Sequence, residues 1–290
     1  MAVEERDGHS GYLTTGHEWN GIKELNTPVP RLVYLTLAVT ALFAVGYWIL
    51  MPAFPLGSTF TKGLLGADDR TAVTAAVKQA QTDRARWTDL IAAKSYDDIQ
   101  GDPRLMAQVR ATGAVLFGDN CAACHQRDAR GGNGFPNLTT QSWLWGGTPE
   151  AIAETIRVGV NAAHPNTRVS QMPAFGRDGV LKRDEMENVV AYVMSLSAPP
   201  AGKVSADRIA AGKAVFTANC AACHGPEGRG NLELGAPNLT DSHWIYGSDA
   251  TALYAGVWGG LQNQMPSWEG RLSALDRKIL VLYILDRRGP

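Results

Sequence analysis

All four cysteines of this 290-residue chain lie in two identical pentapeptides, Cys121–His125 and Cys220–His224. Each reads Cys-Ala-Ala-Cys-His, and this spacing is the attachment signature of a c-type haem. Two thiols at this spacing reach the two vinyl groups on one edge of a porphyrin, and the histidine that follows presents its imidazole to the iron. The motif therefore predicts two haem c groups, covalently bound through Cys121, Cys124, Cys220 and Cys223.

Three other roles for paired cysteines fit this sequence less well. Zinc sites built from two Cys-x-x-Cys pairs usually separate the pairs by roughly 15–20 residues, whereas Cys124 and Cys220 lie much farther apart. A thioredoxin-type redox pair would lie in a βαβ pattern and needs no histidine after it. Two plain disulfides would need an oxidising compartment. The repeated histidine favours haem over all three.

The sequence around the signature is repeated as well. Gly113 and Phe117 precede the first signature, and Gly212 and Phe216 precede the second at the same offset of 99 positions. Each signature is followed by Pro-Asn-Leu-Thr, a tryptophan, an apolar-periodic segment, Gln-Met-Pro and a final apolar-periodic segment. These segments predict helices at residues 150–158, 182–195, 250–258 and 273–286. A repeat of this length and order indicates a duplicated domain rather than a solenoid.

One stretch near the N-terminus, residues 32–51, has 20 residues and no charge. About 20 apolar residues cross a bilayer as a helix, and prolines punctuate both ends of this stretch. We predict a transmembrane helix; the alternative, a buried core helix, fits its length and lack of charge less well. Residues 71–93 predict a second helix with Asp68 or Asp69 as its N-cap. His9 and His17 are interpreted as solvated.

The overall charge is nearly balanced, with 27 lysines and arginines against 28 aspartates and glutamates. A nucleic-acid-binding chain carries a strongly basic surface. The composition therefore predicts no nucleic-acid partner.

Each repeat resembles the class I cytochrome c family, over residues 105–197 and 203–288. In that family the first and last helices cross, with a glycine and an aromatic residue of the first meeting an aromatic residue of the last. The resemblance implies that Gly113 and Phe117 meet Tyr192. It likewise implies that Gly212 and Phe216 meet Tyr283 in the second repeat.

The resemblance also implies a set of iron ligands. His125 and His224 are the proximal ligands, each fixed by a hydrogen bond to the backbone carbonyl of a proline, Pro136 or Pro237. Met172 and Met265, in the repeated Gln-Met-Pro, are the sixth ligands. The simple expectation is that Met172 serves the haem of His125 and Met265 that of His224, but the sequence leaves open an exchange in which each repeat lends its methionine to the other haem. His164 and His243 are weaker candidates.

The N-terminal run Trp-Asn-Gly-Ile-Lys-Glu-Leu-Asn-Thr-Pro-Val-Pro-Arg at residues 19–31 leads directly into the apolar stretch. The whole chain thus resembles the CcoP (FixP) family, the membrane-anchored dihaem subunits of cbb3-type cytochrome c oxidase. The resemblance implies electron entry from a soluble cytochrome c or the bc1 complex. Electrons would then pass through a monohaem cytochrome c subunit to a haem-copper catalytic subunit, which reduces oxygen and pumps protons.

With both irons six-coordinate and no histidine in the membrane helix, we expect no catalytic residue and no oxygen reduction by this chain alone. The alternatives are a dihaem peroxidase, which needs an open iron site, and the dihaem cytochrome subunit of a periplasmic dehydrogenase. Two Gln-Met-Pro loops disfavour the first, and the run at residues 26–31 disfavours the second.

The predicted fold is mainly α, with one transmembrane helix followed by two tandem class I cytochrome c domains. We expect a cytoplasmic segment at 1–31, the membrane helix at 32–52, and a periplasmic linker with a helix at 53–104. The two cytochrome c domains would cover residues 105–198 and 203–290. Because haem c is attached on the periplasmic side in bacteria, we expect an inner-membrane protein with a cytoplasmic N-terminus and membrane lipid around its helix.

Overall fold

The computed structural model describes residues 5–197 and 205–289. The chain forms two compact units, residues 1–83 and 84–290. The expected end of the first cytochrome c domain at 198, and the start of the second at 203, lie outside the described residues.

The first unit begins with a hairpin of two strands, β1 (Thr14–Trp19) and β2 (Ile22–Leu25). The strands pair antiparallel, and the turn between them is Asn20-Gly21, with φ of 51° and 87°. Positive φ at both central residues is the tight turn that Asn-Gly favours in hairpins. His9 and His17 are exposed, as predicted.

The apolar stretch forms helix α1 (Arg31–Leu50). Within the described part of the chain, it is the one helix long and apolar enough to cross a membrane. At its C-terminal end, the backbone N–H groups of Leu64 and Leu65 donate to the carbonyls of Ile49 and Leu50. These bonds satisfy acceptors that the end of a helix otherwise leaves open. Helix α2 (Asp69–Ala93) follows, and the carboxylate of Asp68 accepts from the N–H of Thr71.

The second unit contains nine helices within its described residues: α3 (Tyr96–Gln100), α4 (Pro103–Asn120), α5 (Ala122–His125), α6 (Pro149–Val158), α7 (Arg183–Ser197), α8 (Ala206–Asn219), α9 (Ala221–His224), α10 (Ala250–Gly259) and α11 (Ala274–Arg287). Side-chain N-caps begin the main ones: Asp102 for α4, Thr148 for α6, Ser205 for α8, Asp249 for α10 and Ser273 for α11. Each cap oxygen accepts from an N–H of the first turn that has no partner inside the helix. The predicted helices are therefore confirmed.

The first and last helices of the repeats pack in exchanged pairs. Helix α4 of the first repeat packs against α11 of the second, and α7 of the first packs against α8 of the second. A Cβ on Gly113 would lie 2.7 Å from the Cβ of Tyr283. Gly212 lies against the carbonyl of Asn188 and the side chain of Tyr192. The expectation that Gly113 meets Tyr192 and Gly212 meets Tyr283 is therefore wrong.

Chain connectivity accounts for this exchange. Helices α7 and α8 are consecutive in the chain, and consecutive elements tend to pack as neighbours. Both repeats carry the same glycine and aromatic residues where their first and last helices meet. The helix surfaces therefore fit equally well in either pairing. Once α7 packs against α8, the remaining first helix, α4, is covered by the remaining last helix, α11.

Two hydrophobic cores result. The first globule consists of α4, α5 and α6 with α11; its core includes Phe117, Ile152, Leu280 and Tyr283, and Cys121 and Met265 pack against it. The second globule consists of α8, α9 and α10 with α7; its core includes Val189, Tyr192 and Phe216, and Cys220 packs against it. Each globule thus combines the signature of one repeat with the last helix of the other.

Candidate haem-binding sites

Each signature folds as a short helical turn directly after a long helix. Helix α4 ends at Asn120, and Cys121 caps the start of α5, so that Cys121 and Cys124 lie on one turn that ends in His125. Cys220, Cys223 and His224 repeat this geometry after α8. The first cysteine of each pair is partly buried and the second is exposed. One edge of a porphyrin can therefore meet both sulfur atoms along the side of this turn.

The ionisation of the cysteines does not suit the alternative roles. Burial, with a smaller contribution from the neighbouring cysteine, raises the pKa of both Cys121 and Cys220 to about 11. Redox-active and zinc-binding cysteines need accessible thiolates, which a lowered pKa supplies. No cysteine is in a disulfide, and the described residues contain no group of three or more metal-binding His, Cys, Asp or Glu side chains.

A backbone carbonyl fixes the ring orientation of each signature histidine. The Nδ1 atom of His125 lies 3.0 Å from the carbonyl oxygen of Pro136, and that of His224 lies 3.0 Å from the oxygen of Pro237. With Nδ1–H donating, Nε2 carries the lone pair that an iron would accept. Burial lowers the pKa of both histidines, which favours the neutral imidazole that metal ligation requires. The predicted bonds to Pro136 and Pro237 are confirmed.

A glycine in each loop allows the chain to return over its signature. Gly131 has φ +69° and its N–H donates to the carbonyl of His125 at 2.9 Å. A Cβ at this position would collide with the carbonyl oxygens of Phe135 and Pro136. Gly230 repeats this arrangement with φ +83° against Ala236 and Pro237. Because the loop is this tight, the proline carbonyl comes within reach of the histidine.

The two methionines are placed by short backbone pairings with the opposite repeat. Met265 exchanges two N–H···O bonds, each 2.9 Å, with Val160 at the end of α6. Met172 exchanges bonds of 2.9 and 3.0 Å with Leu261 at the end of α10. Helix α6 packs on α11 in the first globule, and α10 packs on α7 in the second. Met265 therefore belongs to the globule of His125, and Met172 to the globule of His224.

Four buried N–H donors provide a test of whether these cavities suit a haem. Within the described chain, the buried side-chain atoms that lack a hydrogen-bond partner are Trp143 Nε1, Trp145 Nε1, Arg168 Nε and Arg288 Nε. A buried donor without an acceptor costs on the order of 1–3 kcal/mol. A haem brings two carboxylates to a largely apolar pocket, so this set of donors fits the group. When bound, haem iron supplies a one-electron couple between its ferric and ferrous states.

The remaining histidines have other partners. The Nε2 atom of His164 lies 2.8 Å from Glu269, and the Nδ1 atom of His243 lies 3.3 Å from the hydroxyl of Ser142. Both contacts join the first repeat to the second. They give His164 and His243 structural roles.

The loops that follow the two signatures form much of the contact between the globules. The N–H of Gly134 donates to Ile245, and the hydroxyl of Ser170 donates to Gly235 at 3.4 Å. The indole of Trp145 lies directly against Gly235. These contacts join loops that follow the two signatures.

Three segments of the chain match known families. Residues 11–58 match a family described as the N-terminal domain of cytochrome oxidase-cbb3, FixP. Residues 110–197 match cytochrome c, and residues 207–284 match cytochrome c oxidase, cbb3-type, subunit III.

Full-length relatives agree with these matches. The cbb3-type cytochrome c oxidase subunit FixP of Bradyrhizobium diazoefficiens is 47% identical over 287 residues, covering 98% of each chain. The subunit FixP of another Bradyrhizobium species is 46% identical over 285 residues, again 98% of each chain. The subunit CcoP of Azospirillum brasilense is 40% identical over 296 residues, covering 100% of this chain and 99% of the relative.

The chain belongs to the FixP/CcoP family. Its two cytochrome c domains carry two covalently bound haem c groups and serve electron transfer. The mainly α fold, with one apolar helix near the N-terminus and two tandem cytochrome c domains, agrees with the fold predicted from the sequence.

Two arginines with buried, unpartnered Nε–H groups escaped the sequence-based prediction. Arg168 and Arg288 do not belong to the motifs that the two repeats share, and arginines at such positions are usually solvated. The repeated tryptophans, Trp143 and Trp244, were the available signal, because a half-buried indole N–H usually has a partner.

Proposed function

We propose that this chain is the dihaem electron-transfer subunit of a cbb3-type cytochrome c oxidase. In this role it accepts electrons from a soluble cytochrome c or the bc1 complex. It relays them through a monohaem cytochrome c subunit to the haem-copper subunit that reduces oxygen. The full-length match to subunits of this name carries the proposal.

We further propose His125 with Met265 as the axial ligands of the first haem, held by Cys121 and Cys124. His224 with Met172 would then serve the second haem, held by Cys220 and Cys223. The exchanged helix pairs and the backbone pairings of the two methionines support this assignment. A thioether ligand favours ferrous iron and raises the reduction potential, which suits a relay to an oxidase.

The residues of the chain have three tasks in this function. Pro136 and Pro237 orient the imidazoles, the loop glycines allow that approach, and the apolar cores exclude water from the iron ligands. Helix α1 anchors the haem domains to the membrane. The single-pass inner-membrane topology, with a cytoplasmic N-terminus and periplasmic haems, is part of the proposal because haem c attachment occurs in the periplasm.

Purification and complementation test this function. A tagged chain expressed in its own host should stain for haem on a denaturing gel and co-purify with a haem-copper subunit and a monohaem cytochrome. Oxygen uptake with reduced cytochrome c should be lost when the chain is deleted and restored by the wild type. A chain with all four cysteines changed to alanine should not restore it. Purification as an independent peroxidase or with a dehydrogenase would contradict the proposal.

A reporter fused after Pro290 tests the topology. Alkaline phosphatase, which needs the periplasm to form its disulfides, should be active in this fusion. Activity only of a cytoplasmic reporter at the same position would refute the orientation.

A further inference from the structure

Two arginines each stack on an indole ring in the first globule. The guanidinium carbon of Arg288 lies 4.9 Å from the ring centre of Trp143, and that of Arg168 lies 5.0 Å from the ring centre of Trp145. These four side chains supply all four buried donors without partners in the described residues. The unsatisfied donors are therefore gathered at two neighbouring points.

Backbone contacts attach both pairs to the first globule. Trp143 packs against the core that also contacts Cys121 and Met265. Arg288, directly after α11, donates to the carbonyl of Gly147 at 2.7 Å. Arg168 donates to the carbonyl of Ala151 in α6 at 3.2 Å. In both guanidinium groups a backbone carbonyl therefore holds Nη2, while the buried Nε–H has no partner.

Neither arginine has a carboxylate partner within the part of the chain described. Glu154 is the acidic group that interacts with Arg168 through space, but its two oxygens accept from Arg157 at 2.8 and 2.9 Å. Partial burial lowers the pKa of Arg168 and Arg288, and for Arg168 the charge of Glu154 opposes this shift. Both side chains are half-buried, and each holds a buried Nε–H that has no acceptor, which the anion of a ligand would satisfy.

We propose that Arg168, Arg288, Trp143 and Trp145 bind the propionates of the first haem, and that the two arginines raise its reduction potential above that of the second haem. This inference rests on the proposed function. Ferric haem carries one more positive charge than ferrous haem, so nearby partly buried cations favour the reduced state. A single electron on the chain then resides on the first haem, with its iron ferrous and that of the second haem ferric.

The second globule lacks this arrangement. Trp244 and Tyr246 stand at the positions of Trp143 and Trp145, and within the described residues no cation stacks on either ring. The side chain of Asn263 already bonds Tyr246. The same chemistry therefore predicts a lower potential for the haem of His224.

The sequence explains why only one globule has the arginines. Val160 and Met172 are 12 positions apart, whereas Leu261 and Met265 are four apart, so Arg168 lies in a segment that the second repeat does not have. Residues 195–202, which correspond to the end of α11 and its sequel, contain neither arginine nor lysine. The two globules thus differ in arginines because of the insertion before Met172 and because different residues follow the last helix of each repeat.

Redox titration of the purified oxidase tests the proposal. Arg168→Gln or Arg288→Gln should lower the ferrous-to-ferric ratio of the first haem about tenfold. The comparison is made at the ambient potential where the first haem of the wild type is half reduced. This tenfold change corresponds to a shift of about 59 mV for a one-electron couple, with the second couple unchanged. Met265→His, which replaces a sulfur ligand with nitrogen and lowers the potential of the first couple, identifies that couple. Vibrational bands of the propionates should change in the same variants.

The chain offers a matched control. Arg271 is exposed and its guanidinium carbon lies 4.5 Å from the ring centre of Trp268, in the same globule. Arg271→Gln removes the same charge and the same kind of stack, and should leave both couples in place. An equal shift in this control would overturn the proposal.

Other results also decide the question. If the arginine variants lose haem, Trp143→Phe and Trp145→Phe keep an aromatic ring and the arginine charge at each site and remove the indole N–H donors. They should lower the potential of the first couple. Unchanged potentials and propionate bands, or a shift of the second couple alone, would overturn the inference while the proposed function stands. A wild-type chain without haem would refute the proposed function itself.

Discussion

The ring of Tyr283, on the last helix of the chain, packs against the ring of Phe117, on the first helix of the first repeat, with centroids 5.6 Å apart. Tyr192 and Phe216 form the equivalent contact in the second globule at 5.3 Å. Both contacts cross from one repeat to the other. Gly113 and Gly212 make them possible, because each presents bare backbone to the tyrosine opposite.

Gly113→Ala should therefore destabilise the first globule. The added Cβ would lie 2.7 Å from Tyr283, and overpacking of this kind costs about 1–3 kcal/mol. Gly118→Ala, in the same helix with nothing within 4 Å, is the matched control. It should be neutral or stabilise by roughly 0.5–1 kcal/mol, because alanine favours helix. Thermal unfolding, monitored by the haem absorbance, measures both, and equal melting temperatures would refute the predicted contact.

The exchanged ligand pairs can be tested with one haem at a time. In a chain carrying Cys121→Ala and Cys124→Ala, the second haem alone remains. Met172→Ala should then abolish the red absorption band of sulfur-ligated ferric haem and lower the potential, because Met172 is anchored at α10 by Leu261. Met265→Ala in the same background should leave the spectrum unchanged. The opposite result would establish ligation within each repeat.

Truncation after Ser197 should remove the sulfur ligand of the first haem. Such a chain keeps the entire first repeat but loses α11 and Met265, which cover the first globule. We expect the haem at His125 to bind carbon monoxide readily and to lack the sulfur-ligation band. Full-length Met265→Ala serves as the comparison, since it loses the ligand but keeps the helix. A truncated chain with a normal His–Met spectrum would contradict the exchanged fold.

The stability of the chain should depend on Glu269 at neutral pH. Its carboxylate contacts His164 at 2.8 Å and Arg157 at 2.9 Å, and these hydrogen bonds lower the pKa of Glu269. A carboxylate whose pKa is lower in the folded state than in the unfolded state stabilises the folded protein at pH values above its unfolded pKa of about 4.3. This contribution is lost as the pH falls through the pKa of the folded state. Glu269→Gln should therefore melt below the wild type at pH 7, and the two should converge under acidic conditions.

The control for this prediction is Glu233→Gln, at an exposed glutamate of the second globule. Its melting temperature should follow the wild type at every pH. A Glu269→Gln deficit that persists unchanged at low pH would show that the contacts do not depend on the charge.

Most of the helices could be predicted from the sequence because their signals are local. The cap residues, such as Thr148 and Ser273, stand directly before apolar-periodic segments. Pro136 and Pro237, whose carbonyls orient the histidines, lie only a short distance along the sequence after the signatures. The attachment sites depend on five consecutive residues and need no tertiary information.

The pairing of the helices could not be predicted, because the two repeats are nearly equivalent partners. Phe117 fits Tyr192 or Tyr283 equally well by residue type, so the hydrophobic pattern does not distinguish the two arrangements. The arginines escaped for a different reason. Arg168 and Arg288 become informative only when the fold buries their Nε–H groups, and burial of a long charged side chain has no sequence signature.

The exchange of last helices changes how defects in this chain should be interpreted. With the proposed ligand pairs, a substitution in residues 265–287 would damage the cofactor attached at Cys121, and one in residues 172–197 would damage the cofactor attached at Cys220. Assigning a phenotype by position along the chain would therefore name the wrong haem. Deleting or replacing either repeat would therefore also disable the redox centre of the other.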